Sequence, residues 1–346
     1  MTLSIVTGAP GWLGTRLVYS LAKGVTDVPS LGPTDRQTRC LVLPDADASE
    51  LEKLGAEIVR GDVTDPASLE KLFDGAKDAT VFHSAGVIHP TKGIQQFYDV
   101  NAKGTENMVA AATKAKVRRF IHVSSNSPIG TNPSSDHVFD EDAPYNPYMT
   151  YGKTKKMAEE AVRAAKDLEW AIIRPPWFYG PNQPARQSLF FSMIRDGKAP
   201  IVGDGENRRS MAYVDNICQG LILCDRVAKA AGNIYWIADR RPYTMNEIVD
   251  TIEKLLEKDF SMEVKHKRMK LPGFASGVAY GMDAMMQGIG VYHQKIHVLS
   301  EMNKTIACTV AKAEKELGYD PKIELEEGMR RSIAWALEHV GPLPPS

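Results

Sequence analysis

Three side chains in the middle of the chain are of the types that move a proton while a hydride moves. Tyr151 and Lys155 stand four apart in Tyr-Gly-Lys-Thr-Lys, and the apolar run Phe120-Ile121-His122-Val123 before them ends in Ser124-Ser125. On a helix, positions i and i+4 share a face, so phenol and ammonium point the same way. A free tyrosine has a pKa near ~10. A neighbouring ammonium, with the positive nicotinamide of an oxidised cofactor, favours the phenolate and brings it toward working pH. The phenol then takes a proton from an alcohol or returns one to a ketone, while a serine hydroxyl orients the substrate oxygen. Spacing alone is not specific, because Tyr19 and Lys23 repeat it inside the first helix. The strand ending in serines is what separates the two pairs.

Near the start of the chain, Gly8-Ala-Pro-Gly11-Trp-Leu-Gly14 follows an apolar strand and opens a helical pattern. Glycines in that context allow a tight turn, close approach of backbone to a pyrophosphate, and close helix–strand packing. The helix N-terminus then faces the phosphates. The turn predicts a dinucleotide site, and with the tyrosine it predicts a nicotinamide-dependent enzyme. Asp62, in Arg60-Gly61-Asp62-Val63 at the end of another strand, is placed to accept from an adenine amino group. Asp65-Pro66 just after it reads as a helix cap and first helical residue. At the end of the second strand, Val42-Leu43-Pro44-Asp45 carries no arginine. Asp45 therefore argues for NAD over NADP, by the rule that an acid binds the ribose 2′-OH.

These residues need a frame. Strands are expected at Leu3–Thr7, Arg39–Leu43, Glu57–Arg60, Thr80–His83, Phe120–Ser124 and Trp170–Arg174. Helices are expected at Leu13–Ala22, Pro66–Phe73, Ile94–Lys114 and Tyr148–Lys166. Near-continuous apolar strands joined by helices imply an α/β doubly wound parallel sheet, the Rossmann arrangement, with ligands at the carboxyl ends of the strands. After Pro175, loops rich in Pro and Gly mix with helices at Tyr213–Asp225, Thr244–Glu257, Thr309–Leu317 and Leu325–His339 and a strand at Asn233–Ile237. The division expected is a dinucleotide-binding core over 1–175, with elements returning near 210–240, and a smaller C-terminal substrate-binding lobe over 176–346.

Composition narrows the class. The chain has 346 residues, 43% hydrophobic and 25% charged, with net charge −1, as in an ordinary globular protein with no general attraction for nucleic acid. The basic run Lys265-His266-Lys267-Arg268 is too short to change that. Four cysteines, Cys40, Cys218, Cys224 and Cys308, lack disulfide or metal spacing and read as buried thiols in a reducing compartment. The first residues run straight into a strand without a leader pattern, and no apolar run is long enough to span a bilayer. A cytoplasmic protein with a small-molecule substrate is expected, with a homodimer as a possible assembly. The Met- and Gly-rich stretch 271–291 is expected to be a helical hairpin or lid over an apolar pocket rather than a membrane contact. His293 and His297 share a helix face but lack the glutamate of a zinc-protease motif, so no metal is expected.

At this point the chain resembles an extended short-chain dehydrogenase/reductase of the NAD-dependent epimerase/dehydratase family. The pieces are the glycine turn, Gly61-Asp62-Val63, His83-Ser84-Ala85-Gly86, Val100-Asn101-Ala102-Lys103-Gly104-Thr105, Ser124-Ser125-Asn126-Ser127-Pro128-Ile129-Gly130, Tyr151-x-x-x-Lys155, Arg174-Pro175-Pro176-Trp177-Phe178-Tyr179-Gly180-Pro181 and Tyr213-Val214-Asp215-Asn216. Counting back from Gly130, the resemblance makes Ser125, not Ser124, the catalytic hydroxyl, Tyr151 the acid/base and Lys155 the residue on the nicotinamide ribose. It implies a cofactor, NAD or NADP, held by Gly8, Gly11, Trp12, Leu13, Gly14, Asp45, Asp62, Val63, Ala85, Gly86, Asn101, Tyr151, Lys155 and Pro175.

Two branches of that family compete. Sugar-nucleotide epimerases and dehydratases tend to carry Asn where this chain has Trp177. An indole suits an apolar substrate, and Tyr213-Val214-Asp215-Asn216 is similar to the 3β-hydroxysteroid dehydrogenase-like branch. The expectation is therefore an oxidoreductase interconverting a secondary alcohol and a ketone on a largely apolar, steroid-like or other hydroxy/keto substrate. Asn126, Trp177, Tyr179 and the 271–291 stretch would form its pocket. Arg209 supports the alternative, since in sugar-nucleotide enzymes the arginine there binds a phosphate. A cofactor-sensing protein is a third reading, disfavoured by the retained Tyr151 and Lys155.

Overall fold

The computed structural model describes residues 2–346. Seven strands form one parallel sheet: β1 (Leu3–Thr7), β2 (Gln37–Val42), β3 (Glu57–Arg60), β4 (Thr80–His83), β5 (Arg119–Val123), β6 (Trp170–Arg174) and β7 (Asn233–Trp236). Their spatial order is β3-β2-β1-β4-β5-β6-β7. β1, β4 and β5 are buried along their whole length, as strands covered by helices on both faces must be. Arg119 in β5 is buried with its charge satisfied: it donates to the Cys224 and Val227 carbonyls, both at 2.8 Å, and pairs with Glu169. The chain winds outward in opposite directions from β1 and β4, which pair with Thr7 opposite His83. A cleft opens at such a switch point, at the carboxyl ends of the strands.

The expected helices form with small differences. Trp12–Lys23 follows the glycine turn, and Asp65 caps Pro66–Leu72 by accepting from Ala67 N with Pro66 in the first turn. The stretch expected as one helix over 94–114 is helical but interrupted by a π-turn at Tyr98–Lys103 before Gly104–Lys114. A Cβ on Gly104 would lie 2.7 Å from Val63 Cγ2, so this turn packs backbone directly on the segment after β3.

In the second half, three short strand pairs appear that periodicity does not reveal. Trp177–Tyr179 pairs with Met211–Tyr213, Arg208–Arg209 with Tyr243–Thr244, and Pro200–Val202 with Met269–Leu271. A helix at Ala185–Arg195 is also absent from the sequence reading. One core joins the helices Trp12–Lys23 and Val214–Arg226 to one face of the sheet, and Cys308, Val310, Ala313, Leu317 and Tyr319 return to it from the C-terminal part. A separate core of Tyr179, Phe191, Ile201, Tyr213, Ile248, Leu256, Met329 and neighbours fills the other lobe. The two are stapled by Tyr213-Val214-Asp215-Asn216. Asp215 pairs with Arg16 on the first helix, and Asn216 Nδ2 donates to Ile323 O at 2.6 Å and to Asp239. The long link over 24–38 is tied down where Arg36 pairs with buried Asp225, which Arg118 also pairs.

Candidate active site

The glycine turn closes on itself. Gly11 N donates to Gly8 O at 2.9 Å, and Gly8 has φ +87°, a conformation that favours glycine. A Cβ on Gly8 would lie 2.6 Å from Ser84 Oγ and 2.7 Å from Ala85 N. On Gly11 it would lie 2.6 Å from Gly8 O, and on Gly14 2.5 Å from the same oxygen. The helix that follows has Gly11 as its N-cap, with no side chain to occupy the first-turn N–H groups. The turn is thus a backbone cradle with donors free for an anion. The loop after β4 is fixed beside it: Ser84 Oγ donates to Thr7 O at 2.6 Å, and Ala85 N to Thr7 Oγ1 at 3.2 Å. Asn101, on the π-turn, accepts from Val87 N at 2.7 Å and donates to Val87 O at 2.9 Å, holding the Ala85–Gly86 segment against the cradle. These groups suit a dinucleotide pyrophosphate.

At the adenosine edge the sequence reading overlooked Arg60. β2 and β3 pair with Val42 opposite Arg60. The Arg60 guanidinium therefore reaches the loop after β2, donating to Leu43 O at 3.1 Å and Ala46 O at 2.5 Å. Asp45 lies exposed in that loop. Strand pairing brings in the arginine whose absence after β2 argued for NAD. Asp62 accepts from Thr64 N at 2.8 Å and keeps one carboxylate oxygen free. Val63 is buried, and its carbonyl accepts from Asn107.

The catalytic groups converge where β5 ends. Ser124 turns away: its hydroxyl donates to Glu159, which is buried and paired with Arg174. Ser125 lies close enough to the Tyr151 phenol to lower its pKa, while the hydrogen bonds of its own hydroxyl run to Asn126 Oδ1 and Ser127 at 3.3–3.4 Å. Tyr151 and Lys155 lie on one face of the helix Met149–Ala164, with Tyr151 packed against Phe97 at 5.8 Å between ring centres. Lys155 is buried, and its Nζ donates to Val123 O at 2.7 Å with His122 Nε2 at 3.4 Å. Burial pushes the Tyr151 phenol up to about 12, against the nearby Ser125 hydroxyl, which lowers it. The ammonium faces the Val123 carbonyl, and burial brings Lys155 itself down to about 8. In the chain alone desolvation dominates the phenol, without the charge of an oxidised nicotinamide that the expected phenolate relies on.

Behind Lys155 lies a buried pair, His83 on β4 and His122 on β5, stacked at 5.4 Å. His83 is held between Thr7 Oγ1 at 2.8 Å and Thr105 Oγ1 at 3.0 Å. Burial first, and then the Lys155 charge, brings His83 down to about 3 and His122 well below its ordinary range. Both imidazoles are thus neutral in the fold, while the unfolded chain binds their protons below about pH 6.5. Their stabilisation is complete above that pH and is lost as pH falls toward the folded values. The slope is up to about 1.4 kcal/mol per pH unit for each histidine. Urea unfolding at pH 7 and pH 5 should show a larger loss for the wild type than for His122→Phe. Equal losses would refute the linkage.

The expected substrate residues divide. Asn126 is partly exposed beside Ser125. Pro175 is buried, and Trp177 is half-buried against Phe190. The Arg209 guanidinium sits 5.8 Å from the Trp177 ring centre. Arg209 has no ion pair among the described residues. It donates only to Glu301 O at 3.3 Å, and burial lowers its pKa. Arg208 points elsewhere, to the Ser135 and His137 carbonyls. Tyr179 leaves the substrate set: it is 3% exposed, with its hydroxyl on Asp239 and its ring against Tyr213. Burial raises Asp239 to about 7, making it a hub for this tyrosine cluster that the sequence reading missed.

The 271–291 stretch forms part of the expected helical hairpin, Phe274–Gly288 with Gln294–Glu301. Most of its apolar side chains face outward rather than into the molecule. His293 caps the second helix and His297 pairs with Asp283, so both histidines have structural work. All four cysteines are buried, with thiols pushed up to about 12.

The profile of the 3-beta hydroxysteroid dehydrogenase/isomerase family matches residues 5–272. A Sinorhizobium fredii protein described as "Uncharacterized protein y4nL" is 50% identical over 341 residues, 97% of this chain and 96% of that one. The N-acetyl-alpha-D-glucosaminyl-diphospho-ditrans,octacis-undecaprenol 4-epimerase of Escherichia coli O157:H7 is 28% identical, over 97% of this chain and 96% of its own length. Among solved structures, the dTDP-glucose 4,6-dehydratase DesIV of Streptomyces venezuelae, with NAD and TYD bound, is similar at TM-score 0.75. It is 25% identical and is matched over 98% of each chain.

Proposed function

The chain belongs to the 3-beta hydroxysteroid dehydrogenase/isomerase family, enzymes of the extended short-chain dehydrogenase/reductase type, and from that premise we propose that it interconverts a secondary alcohol and a ketone on a largely apolar substrate. The observation that carries this reading is the Ser125–Tyr151–Lys155 cluster beside the glycine cradle. A bound nicotinamide would accept or deliver the hydride, and its positive charge when oxidised would favour the Tyr151 phenolate. Gly8, Gly11, Gly14 and the free N–H groups of the first helix would hold its pyrophosphate. Lys155 would reach the nicotinamide ribose. Asp45 and Arg60 would flank the adenine ribose, the acid suiting NAD and the guanidinium suiting a 2′-phosphate.

In the oxidative direction, the Ser125 hydroxyl orients the substrate oxygen and Tyr151 takes its proton as the C–H hydride leaves. In reduction, Tyr151 returns the proton to the oxygen. Asn126 and Trp177 would flank the substrate, the indole offering apolar area.

A second reading, an epimerase or dehydratase on a diphosphate-bearing substrate, is favoured by Arg209. A half-buried guanidinium that makes no ion pair among the described residues, with only the Glu301 charge acting on it from a distance, is suited to an added anion. A thermal-shift panel separates the two. Saturating ligand at ~100 Kd adds about 2.7 kcal/mol of stability. Apolar hydroxy and keto compounds should stabilise the cofactor-loaded protein, and equally the Arg209→Ala variant. Stabilisation by nucleoside diphosphates instead, lost in Arg209→Ala, would replace the first reading with the second.

A further inference from the structure

His122 Nδ1 is a buried ring nitrogen with no hydrogen-bond partner among the described residues. The ring lies fully buried in β5, with His83 opposite it on β4 and Ile172 on β6. A polar atom left unpaired in such a place costs stability, and an apolar ring of similar size would fill the space without that cost. Packing alone therefore gives no reason for an imidazole. The other nitrogen does: His122 Nε2 lies 3.4 Å from Lys155 Nζ.

The neighbouring histidine shows a structural imidazole for comparison. Ala85 N donates to Thr7 Oγ1 at 3.2 Å, which leaves the Thr7 hydroxyl to donate to His83 Nδ1 at 2.8 Å. Thr105 Oγ1 donates to Asn101 O at 2.7 Å, so it accepts from His83 Nε2 at 3.0 Å. These directions make His83 the neutral Nε2–H form with both nitrogens satisfied. At His122 the direction is reversed. An ammonium only donates, so the Lys155 contact makes Nε2 an acceptor and puts the proton on the unpartnered Nδ1. Two imidazoles stacked at 5.4 Å are thus held in opposite tautomers.

The consequence falls on Lys155. An ammonium has three N–H donors. Val123 O takes one at 2.7 Å, and His122 Nε2 takes a second. We propose that His122 is a positioning residue for the alcohol–ketone reaction: its Nε2 accepts from Lys155 and, together with the Val123 carbonyl, leaves a single fixed N–H for the nicotinamide ribose. This rests on the reading of Ser125, Tyr151 and Lys155 as the catalytic cluster. His122 is buried behind Lys155 and acts only through it. Burial keeps both imidazoles neutral, so they can stand beside an ammonium. The charges that act on His122 are those of Lys155, from the helix Met149–Ala164, and of His83, from β4. Burial brings Lys155 down to about 8, and Glu159, one turn along the helix, opposes that. An acceptor for the charged form favours it, so His122 also helps Lys155 keep its proton.

Nitrogen-15 shifts of the imidazoles, read in the unmodified protein without cofactor, test the tautomers directly. His122 should carry its proton on Nδ1 and His83 on Nε2, each signal assigned by its loss in His122→Gln or His83→Gln. Calorimetric titration with NAD and NADP from pH 6 to 9 tests the consequence. Wild-type affinity should fall as Lys155 loses its proton near pH 8, and this fall should vanish in Lys155→Met. In His122→Phe the acceptor is gone, so the fall should begin about one pH unit lower, with affinity about tenfold below wild type at pH 9. His122→Gln, whose amide oxygen can accept from Nζ, should return the fall to its wild-type position. A role confined to packing would change the unfolding temperature of His122→Phe and leave its binding profile at the wild-type pH. That result, or a His122 protonated on Nε2, overturns the proposal. If His122→Phe does not fold, the shifts of the unmodified protein still decide. Wild-type affinity and profile in Lys155→Met would show a different failure: Lys155 is then not on the ribose, and the proposal falls with that placement.

Discussion

Tyr151→Phe is expected to lower turnover by ~10²–10⁴-fold while leaving the fold and cofactor affinity intact. Phe keeps the ring and its contact with Phe97 but has no hydroxyl to take or return the proton. Both readings of the substrate need that proton transfer, so the result does not depend on which is right. Lys155→Met should reduce activity and weaken cofactor binding together. It also leaves the Val123 carbonyl without its donor at 2.7 Å. The control is Tyr19→Phe. Tyr19 lies exposed on the first helix with its ring under the Arg16 guanidinium at 4.6 Å. Turnover should not change there. Steady-state rates on a substrate found by the stability panel decide the matter, and wild-type activity in Tyr151→Phe would remove the phenol from the mechanism.

Gly11→Val is expected to weaken cofactor binding at least ~100-fold, about 3 kcal/mol. The structure changes the reason. A side chain at Gly11 would do more than crowd the incoming pyrophosphate: its Cβ would already overlap Gly8 O at 2.6 Å, so the turn must open. Gly14→Ala should act likewise, because its Cβ meets Gly8 O and Ala9 N at 2.5 and 2.6 Å, and both are backbone. Calorimetric titration with NAD and NADP measures the loss. In the wild type the same titration shows which of the two Asp45 and Arg60 select. Full affinity in both glycine variants would move the dinucleotide away from this turn.

Much of the site was legible because it is built from local order. The glycine turn lies within a single strand–turn–helix unit, and Tyr151 and Lys155 lie within one helical turn. Their types and spacings carry their geometry. The parallel sheet was legible for the same reason, since its central strands β1, β4 and β5 are buried along their length and bounded by helices. The short pairings of the second lobe were not, because strands of two or three residues carry no readable period.

What only the tertiary structure decided are matters of which side chain meets which across long separations. Arg60 reaches the loop after β2 because two strands pair in register, a relation absent from the local sequence. Tyr179 and Arg209 were grouped as substrate residues, yet Asp239 claims one and the other makes no ion pair among the described residues. The ionisation of Tyr151 depends on burial and on where the Lys155 ammonium points, both set by packing. The stretch 271–291 was correctly legible as apolar and helical. Its direction was settled by three inward polar contacts, from Ser276, Asp283 and Gln287, which turn the apolar side outward. Composition determines how much apolar surface a helix has, but the partners of its few polar groups determine which way that surface faces.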